Sequence, residues 1–258
     1  MNRNHEKERL IKQKLSNDNF NSVGVLYYNK VTSTMDVAAG LDYNSLVDPT
    51  VIVAEEQTHG RGRFERKWYS SNDDSIFSIV LKNFDFSVPY SMIASLGVYN
   101  VIHAFSSKVG LKWINDVFWG DKKISGILTE EKNNRTIIGI GVNLNTKDFP
   151  FPISSIATSL FLETGKHYDK IDFTVRLIKS VLTLIDKAHD NGVEELLKQW
   201  ERASKMRGSM VRVETVSGVK TGLAFGIDYK TGALKLKIRG KIIEIYDGKL
   251  TFINNIRK

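Results

Sequence analysis

Residues 112–130 read KWINDVFWGDKKISGILTE, and with the run that continues to Leu144 they decide the fold class. Short runs of β-branched and aromatic residues alternate here with turn signals at Gly120 and Asp121 and at Asn133 and Asn134. This spacing is typical of an antiparallel meander of strands. The stretch therefore predicts a sheet that is built partly from hairpins.

Strand and helix signals alternate upstream of this stretch. Further strands are predicted at residues 23–28, 50–55 and 75–82. Ser33 is placed to cap a short helix that starts near Thr34, and a longer helix is predicted over residues 90–106, where apolar residues recur at helical spacing. Helices combined with a largely antiparallel sheet indicate an α+β fold.

The pattern changes after residue 204. Helices are predicted at residues 173–188 and 193–203, and short strands follow at residues 210–215, 222–227, 233–238, 242–246 and 251–253. Five strands at this spacing predict a small β-barrel over residues 205–258, after a main domain of residues 23–204. Residues 1–22 are charged, with a short helical pattern around residues 6–15, and are expected to form a partly ordered extension.

The composition excludes several classes of protein. The 258 residues include no cysteine, so disulfides, thiolate nucleophiles and thiolate metal sites are excluded. Five histidines are scattered without ligand spacing, so no zinc site is expected. The apolar runs are shorter than the roughly 18 residues of a membrane span, and the N-terminal sequence has no apolar signal core. We expect a soluble, cytoplasmic protein with no membrane partner.

The net charge of +8 is unevenly distributed. Residues 1–204 hold 25 basic and 25 acidic side chains, whereas residues 205–258 hold 12 basic and 4 acidic ones. A basic patch attracts nucleic acid, anionic lipid or an acidic protein. A solvated surface that favours solubility is the simpler explanation.

Residues 60–68 read GRGRFERKW and follow a strongly apolar strand signal. Glycine allows backbone N–H groups to approach a ligand, and arginine binds carboxylate or phosphate oxygens through two parallel hydrogen bonds. The loop therefore predicts an anion clamp, with a solvated basic turn as the alternative.

The stretch of residues 112–130 also carries groups suited to phosphoryl or adenylyl chemistry. Asp116 can help to hold Mg²⁺, Asn115 can hydrogen-bond a phosphate oxygen, and Lys112 and Lys123 can neutralise a carboxylate or phosphate. Each residue taken alone has a simpler explanation, since Asn–Asp is a common turn dipeptide and lysines are usually solvated.

Residues 138–145 read IGIGVNLN and place Gly139 and Gly141 inside a β-branched strand. Glycine at such positions indicates either a bulge or a close approach of a ligand to the backbone. No GxxxxGK[ST] pattern occurs, so a P-loop nucleotide site is not expected.

These three motifs, in this order and at this spacing, resemble those of biotin protein ligases, also called biotin–acetyl-CoA-carboxylase ligases or holocarboxylase synthetases. The family patterns are GRGRRGRxW, KWPNDL followed by KxxGIL, and GxGxN, and the likeness extends from about Tyr27 to Phe252. It implies a catalytic domain like that of class II aminoacyl-tRNA synthetases, with a mixed central sheet and helices packed on it, followed by a Src-homology-3-like barrel. The implied reaction uses ATP, biotin and Mg²⁺ to form biotinyl-5′-adenylate and to modify a lysine of a biotin carboxyl carrier protein.

The resemblance also implies which residues bind biotin. They are Ser33, Thr34 and Met35, from a family STN triplet at the ureido end; Gln57, which reaches the same ring; Gly60, Arg61, Gly62 and Arg63 of the loop; and Lys123 and Gly126.

A second set is implied for ATP and the adenylate. Its members are Arg61, Arg63, Trp68, Lys112, Asn115, Asp116, Lys123, Gly139, Gly141 and Asn143, with Trp68 able to stack on adenine. Arg63, Lys112, Asp116 and Lys123 are the implied catalytic residues, and Asp116 is a possible Mg²⁺ ligand.

Three positions depart from the family patterns. Phe64 and Glu65 stand where the longest pattern has arginine and glycine, and Ile114 replaces the proline of KWPND. Glu65 brings a negative charge into the predicted clamp. Because Arg63 is retained, we expect an active enzyme. We expect the departures to affect the ordering of the loop and not the chemistry.

Two alternative functions compete with this interpretation. Lipoate ligases share the fold and both half-reactions, but their GGGxVxHD-like segment does not occur here. A carrier-binding or nucleic-acid-binding module is the other, suggested by the basic tail. Repressor activity would need a helix-turn-helix domain, for which 22 residues are too few, so no DNA-binding domain is expected. The resemblance further implies a homodimer formed by edge-strand pairing.

Overall fold

The computed structural model describes residues 2–18, 20–42, 44–64, 66–82, 90–132 and 134–253. These residues fall into two compact units. The first contains the described residues up to 82 and those of 121–180, and the second contains the described residues of 90–120 and of 181–253. Within the described ranges, no helix has the length and apolar character needed to cross a membrane.

The described residues form six helices and twelve strands. The helices are α1 (His5–Ser16), α2 (Thr34–Gly40), α3 (Tyr90–His103), α4 (Leu160–Thr164), α5 (Lys170–Asn191) and α6 (Glu194–Ser204). The strands are β1 (Gly24–Val31), β2 (Thr50–Gln57), β3 (Ser75–Lys82), β4 (Val109–Lys112), β5 (Asp116–Trp119), β6 (Lys122–Lys132), β7 (Arg135–Val142), β8 (Met210–Thr215), β9 (Gly218–Ile227), β10 (Leu234–Ile238), β11 (Lys241–Ile245) and β12 (Lys249–Phe252). The α+β prediction is confirmed.

The sheet of the first unit is mixed. Its strands stand in the order β1, β2, β3, β7, β6, with β1 and β2 parallel and the other neighbouring pairs antiparallel. β3 lies in the middle of this order, and its side chains Ile76, Phe77 and Ile79 are buried. Because both faces of a central strand are covered, its sequence is largely apolar.

Helix α2 is fixed at one face of this sheet. Ser33 caps it by accepting a hydrogen bond from the Met35 amide at 3.3 Å, as the sequence predicts. The helix packs on β2, β3 and β7, and Met35 and Val37 join a buried cluster with Ile52. The start of α2 is therefore held in a defined place on the sheet.

The first residues of the chain lie along β1. The Asn4 side chain accepts a hydrogen bond from the Lys7 amide at the start of α1, and the Asn4 amide donates to the Tyr27 carbonyl at 2.8 Å. Ile11 and Leu15 of α1 are fully buried. The predicted helix is confirmed, and this segment is more ordered than its charged composition predicted, because two apolar side chains anchor it.

The second unit combines packed helices with an antiparallel sheet. Helices α3 and α6 pack on each other and on β4, and Trp200 Nε1 donates a hydrogen bond to Ser95 Oγ at 2.9 Å. A Cβ on Gly97 would lie 2.9 Å from Val181 Cα, so glycine permits this close packing. Strands β8 to β12 form a five-stranded sheet in the order β11, β10, β9, β8, β12. The five predicted strands are confirmed, while closure into a barrel and the boundary near residue 204 stay predictions.

The other differences from the sequence predictions are local. β9 begins at Gly218, four residues before the predicted start. Helix α4 was not predicted, because its 5 residues are too few to show a helical period. β7 pairs with β3 and β6 in an uninterrupted register, so Gly139 and Gly141 do not mark a bulge.

Candidate functional site

The loop of residues 60–68 is closed by its own backbone. The Trp68 amide donates to the Gly60 carbonyl at 2.9 Å, and the Gly62 amide donates to the Arg66 carbonyl at 2.7 Å. A Cβ on Gly60 would lie 2.7 Å from the Trp68 carbonyl oxygen, so only glycine fits at this crossing. The loop is therefore a short hairpin whose two ends meet at Gly60 and Trp68.

Phe64, one of the departures from the family pattern, lies at the tip of this loop. Phe64 has a φ of 56°, a left-handed conformation that is unfavourable for residues other than glycine. The guanidinium carbons of Arg63 and Arg66 lie 5.0 and 5.8 Å from the centre of the Phe64 ring. Glu65 lies outside the described residues. The guanidinium groups of Arg63 and Arg66 therefore both lie close to the Phe64 ring.

The start of α2 is hydrogen-bonded to the end of β2. Thr34 donates to Gln57 Oε1 from its amide at 2.9 Å and from its hydroxyl at 3.2 Å. The Thr34 hydroxyl also lies 2.8 Å from Ser78 Oγ on β3. Ser33 and Thr34 are buried. The structure therefore brings three predicted biotin contacts together, namely Ser33, Thr34 and Gln57.

One side of β6 and β7 is lined by Gly126, Gly139 and Gly141, and we call it the glycine face. Gly126 pairs with Gly141, and the alternation of a strand places Gly139 on the same side as Gly141. A Cβ would lie 2.5 Å from Trp68 Cε2 at Gly141, 3.0 Å from Trp68 Cζ3 at Gly126, and 2.5 Å from Met35 Sδ at Gly139. The close approach that requires glycine here is made by the chain's own side chains, which the sequence did not reveal.

Lys123 is brought to the same place. Its amide donates to the Ile156 carbonyl at 2.8 Å, and its carbonyl accepts from the Thr158 amide at 2.9 Å. Its ammonium nitrogen lies 5.4 Å from the centre of the Trp68 ring and would be 2.8 Å from a Cβ on Gly126. The predicted lysine, tryptophan and glycine are therefore neighbours.

The buried polar atoms without a hydrogen-bond partner within the described ranges include one on Asn143 and one on Trp68. These two are Asn143 Oδ1 and Trp68 Nε1. The other side-chain atom of Asn143, Nδ2, donates to the Thr158 carbonyl at 2.9 Å, which fixes the orientation of the amide. Buried polar groups are normally paired, so both atoms are available to bind a polar group of a ligand or a water molecule.

The two loop arginines differ in their surroundings. Arg61 donates to both oxygens of Glu130, at 3.2 Å from Nε and 3.0 Å from Nη2, and it also binds Asp36 through Nη1. Burial alone would lower the pKa of Arg61, but the hydrogen bonds to Glu130 and Asp36 outweigh it and raise the pKa. The Arg63 guanidinium lies instead at the loop tip, against Phe64. The pair predicted as one clamp is thus divided between two environments.

The other charged candidates form a hairpin turn in the second unit. Lys112 on β4 stands opposite Asp116 on β5, and Asn115 between them is buried. The Lys112 ammonium lies 4.9 Å from the centre of the Phe118 ring. Trp113, in the same turn, donates from Nε1 to the Gly232 carbonyl at 3.0 Å. The structure brings Lys112, Asn115 and Asp116 together at one turn.

The described residues provide few side chains that could bind a metal ion together. The described residues contain no group of three or more histidine, aspartate or glutamate side chains placed to share a cation. Mg²⁺ is commonly held by one or two carboxylates together with substrate phosphates and water. A site at Asp116 fits this pattern only when phosphate oxygens supply the remaining ligands.

Several residues near the loop were not among the site residues predicted from the sequence. Lys170, at the start of α5, donates to the carbonyl oxygens of Glu55 at 3.1 Å and Asn72 at 2.9 Å, which lie before and after the loop. Burial lowers the pKa of Lys170, although Glu55 opposes the effect. Glu130 ends the quoted motif and Asp36 follows Met35, so their charges were visible in the sequence, but their shared partner Arg61 was not.

Comparison with known proteins gives consistent matches. Residues 27–146 match the model of the "Biotin/lipoate A/B protein ligase family". A bifunctional ligase/repressor BirA of Bacillus spizizenii is 30% identical over 242 residues, covering 88% of this chain and 73% of that protein. A biotin–[acetyl-CoA-carboxylase] ligase of Mycobacterium tuberculosis is 30% identical over 226 residues, covering 84% and 82%.

Solved structures agree with these matches. The biotin protein ligase of Aquifex aeolicus, solved in complex with biotin and ATP, superimposes with a TM-score of 0.81 at 27% identity. The alignment covers 89% of this chain and 98% of that structure. A shared fold over this length, with the three motifs retained, is more than a local likeness.

Proposed function

The chain belongs to the biotin/lipoate A/B protein ligase family and is an ATP-dependent biotin protein ligase, and from this premise we propose which residues perform its two half-reactions. The observation that carries the proposal is the glycine face, where Trp68 and Lys123 lie together. The apolar indole and the lysine ammonium provide the two kinds of surface that a ring system with a carboxylate tail requires.

We place biotin beside Trp68, next to the start of α2. Ser33, Thr34 and Gln57 supply polar groups for the ureido end, and Lys123 supplies a positive charge for the carboxylate. The remaining proposed contacts are Met35, Gly60, Arg61, Gly62, Arg63 and Gly126. The support for this placement is that Thr34 and Gln57 are already hydrogen-bonded to each other and are thereby held in position.

We place the triphosphate and adenylate among the charged groups. Lys112, Asn115 and Asp116 contact the ATP phosphates, and Arg63 approaches the α-phosphate. Trp68, Arg61, Lys123, Gly139, Gly141 and Asn143 complete the proposed nucleotide contacts. The unpaired Asn143 Oδ1 and the buried Asn115 support this assignment. Both side chains are amides, which can donate hydrogen bonds to a polar ligand and accept hydrogen bonds from it.

Mg²⁺ would be held by Asp116 together with ATP phosphate oxygens. When bound, the cation neutralises negative charge on the triphosphate. Asp116 and Lys112 are paired residues of the two strands of the hairpin. This arrangement provides one anchor for a cation and one positive charge for phosphate oxygens.

The first step forms the adenylate. A carboxylate oxygen of biotin bonds to the α-phosphorus of ATP, while the bond from that phosphorus to the bridging oxygen breaks and pyrophosphate leaves. No protein nucleophile is required, so the catalytic contribution is orientation and charge neutralisation by Lys112, Lys123 and Arg63. The loop would also exclude water from the reactive mixed anhydride.

The second step transfers biotin. The neutral ε-amine of the carrier lysine attacks the biotinyl carbonyl carbon, the bond from that carbon to the phosphate oxygen breaks, and AMP leaves. We assign to Asp116 the role of orienting the amine or accepting its proton through water. An acidic carrier domain would be attracted by the basic C-terminal segment, so its association rate should fall with added salt.

The finer features of the fold extend the same proposal. We propose that the first sheet and its helices form a class II aminoacyl-tRNA-synthetase-like domain, and that strands β8 to β12 close into a Src-homology-3-like barrel. The enzyme would work in the cytoplasm as a homodimer formed by edge-strand pairing. Sedimentation at several concentrations, with and without biotin and ATP, tests the dimer.

The test of the function is a direct transfer assay. The full chain is incubated with ATP, Mg²⁺, biotin and an apo-carrier domain, and the carrier is analysed by mass spectrometry. We expect one added biotinyl group on a single lysine, and no product when ATP is omitted. The matched arm replaces biotin with lipoate.

Modification by lipoate instead of biotin would make the chain a lipoate ligase. A carrier left unmodified in both arms would contradict the ligase function. Binding of DNA is tested separately, and a salt-dependent, sequence-selective band shift would add a second activity.

A further inference from the structure

Arg61 connects three separate elements of the first unit. It belongs to the loop of residues 60–68, Glu130 lies on β6, and Asp36 lies in the first turn of α2. Its guanidinium donates to both Glu130 oxygens, at 3.2 and 3.0 Å, and also to Asp36. Between them, the two acidic residues occupy Nε, Nη1 and Nη2 of the guanidinium.

Single ion pairs at a protein surface contribute little, but bidentate geometry and networks are the exceptions. Arg61 has both. The Glu130 carboxylate accepts two parallel hydrogen bonds from Nε and Nη2, and the Asp36 carboxylate binds Nη1. All three side chains are about one third to two fifths exposed, at 36%, 34% and 42% for Arg61, Glu130 and Asp36. The network therefore holds a loop in place without being part of the core.

The position of Glu130 relates this network to the glycine face. Alternation along β6 places Gly126, Leu128 and Glu130 on one side of the strand. Trp68 lies against Gly126, at one end of the loop, and Arg61 binds Glu130, at the other end. The loop is therefore attached to β6 at two points, four residues apart.

We infer that Asp36 and Glu130 are positioning residues for the ligase reaction, which fix Arg61 as a tether so that the loop holds Trp68 on the glycine face. This inference rests on the proposed function. It assigns anion binding by a side chain of the loop to Arg63, gives the Arg61 guanidinium the role of holding the loop, and limits the proposed contacts of Arg61 with biotin and the nucleotide to its backbone. The competing possibility is that Arg61 leaves its carboxylates and binds the ligand directly.

The experiment compares Glu130→Gln, Asp36→Asn, Arg61→Ala and the Arg61→Ala/Glu130→Gln double variant of the full chain. Three quantities are measured: amide hydrogen exchange over residues 58–68, release of free biotinyl-adenylate, and KM for biotin against kcat. We expect Glu130→Gln to raise exchange, adenylate release and KM each about fivefold, with kcat of transfer from preformed adenylate unchanged. Adding Arg61→Ala should cause only the further change that Asp36→Asn causes by itself, since Arg61→Ala removes the contact with Asp36 as well as the one with Glu130.

The matched control is Glu131→Gln, the exposed neighbour on the same strand, which should behave as the parent. The charge-swapped pair Arg61→Glu with Glu130→Arg should restore part of the parent behaviour, because it rebuilds the ion pair between positions 61 and 130 but leaves two carboxylates facing each other at positions 36 and 61. If Arg61→Ala raises KM while Glu130→Gln leaves exchange and KM at parent values, Arg61 binds the ligand directly and the tether is wrong. Hydrogen exchange does not depend on activity, so an inactive parent would overturn the proposed function while the tether could still be judged.

Discussion

The glycine face and the turn of residues 112–116 carry the strongest motifs of the chain, yet they are organised in different ways. On the glycine face, Trp68 and Met35 lie against glycines that are distant in sequence and leave room for both side chains. Arg61, in the same loop as Trp68, is bound by Glu130, which is also distant in sequence. At the turn, Lys112 and Asp116 are paired across a hairpin with three residues between them. One region depends on shape and the other on charge.

This difference predicts different kinetic signatures. A change on the glycine face alters how the binding surface is built, so it should act mainly on KM. A change of charge at the turn alters the stabilisation of the developing negative charge on phosphate, so it should act mainly on kcat. The variants below compare the two regions, starting with the largest expected effect.

Lys112→Ala should cause the largest loss. Removing a positive charge that stabilises the transition state should lower the rate of biotin-dependent pyrophosphate release about a hundredfold or more, with little change in KM for biotin. The control is Lys108→Ala, an exposed lysine in the same unit, which should keep parent rates. A loss confined to KM would remove the distinction between the two regions.

Gly141→Ala should cause the next largest effect. The added Cβ would lie 2.5 Å from Trp68 Cε2 on the glycine face, so the indole must move. Overpacking of this kind costs about 2 kcal/mol, which corresponds to about a thirtyfold rise in KM for biotin. Gly40→Ala is the control, because nothing lies within 4 Å of a Cβ there. Parent values of KM and of tryptophan fluorescence in Gly141→Ala would show that Trp68 is not held on this face.

Arg63→Ala tests the loop tip, where shape and charge meet. Loss of the guanidinium should weaken retention of the adenylate, so that its release and the biotinylation of bystander lysines rise about tenfold. Lys67→Ala removes a nearby exposed charge and should leave release unchanged. Release at the parent rate in Arg63→Ala would mean that the loop retains the adenylate without this arginine.

The sequence predicted the elements of both regions but not the contacts of the glycine face. β3 was predicted with its observed bounds, and Ser33 caps α2 as expected, because both depend on local pattern. Arg61 and Glu130 are separated by 69 positions, and no local rule joins them. The glycines indicated either a bulge or the close approach of a ligand, and only the structure identified Trp68 and Met35 as side chains that lie against them.

The N-terminal helix α1 is a second case in which contacts distant in sequence could not be predicted. Its charged composition predicted a partly ordered extension, yet Ile11 and Leu15 are fully buried. The helical pattern was visible in the sequence, but the burial of these side chains depends on packing of α1 against β1, which no local pattern shows. The Asn4 amide, bonded to the Tyr27 carbonyl on β1, supplies the rest of the anchoring and cannot be read from residue type.

Lys123→Ala should have the smallest effect of the series, because it removes a charge from the glycine face without changing its shape. The ammonium lies 5.4 Å from the Trp68 ring centre, so its loss should lower the affinity for biotin about fivefold to tenfold, measured by calorimetry, and leave Trp68 in place. Lys122→Ala, an exposed lysine on the same strand, is the matched control. If biotin affinity is unchanged while adenylation falls as steeply as in Lys112→Ala, then Lys123 acts through charge in the transition state, and the glycine face is not governed by shape alone.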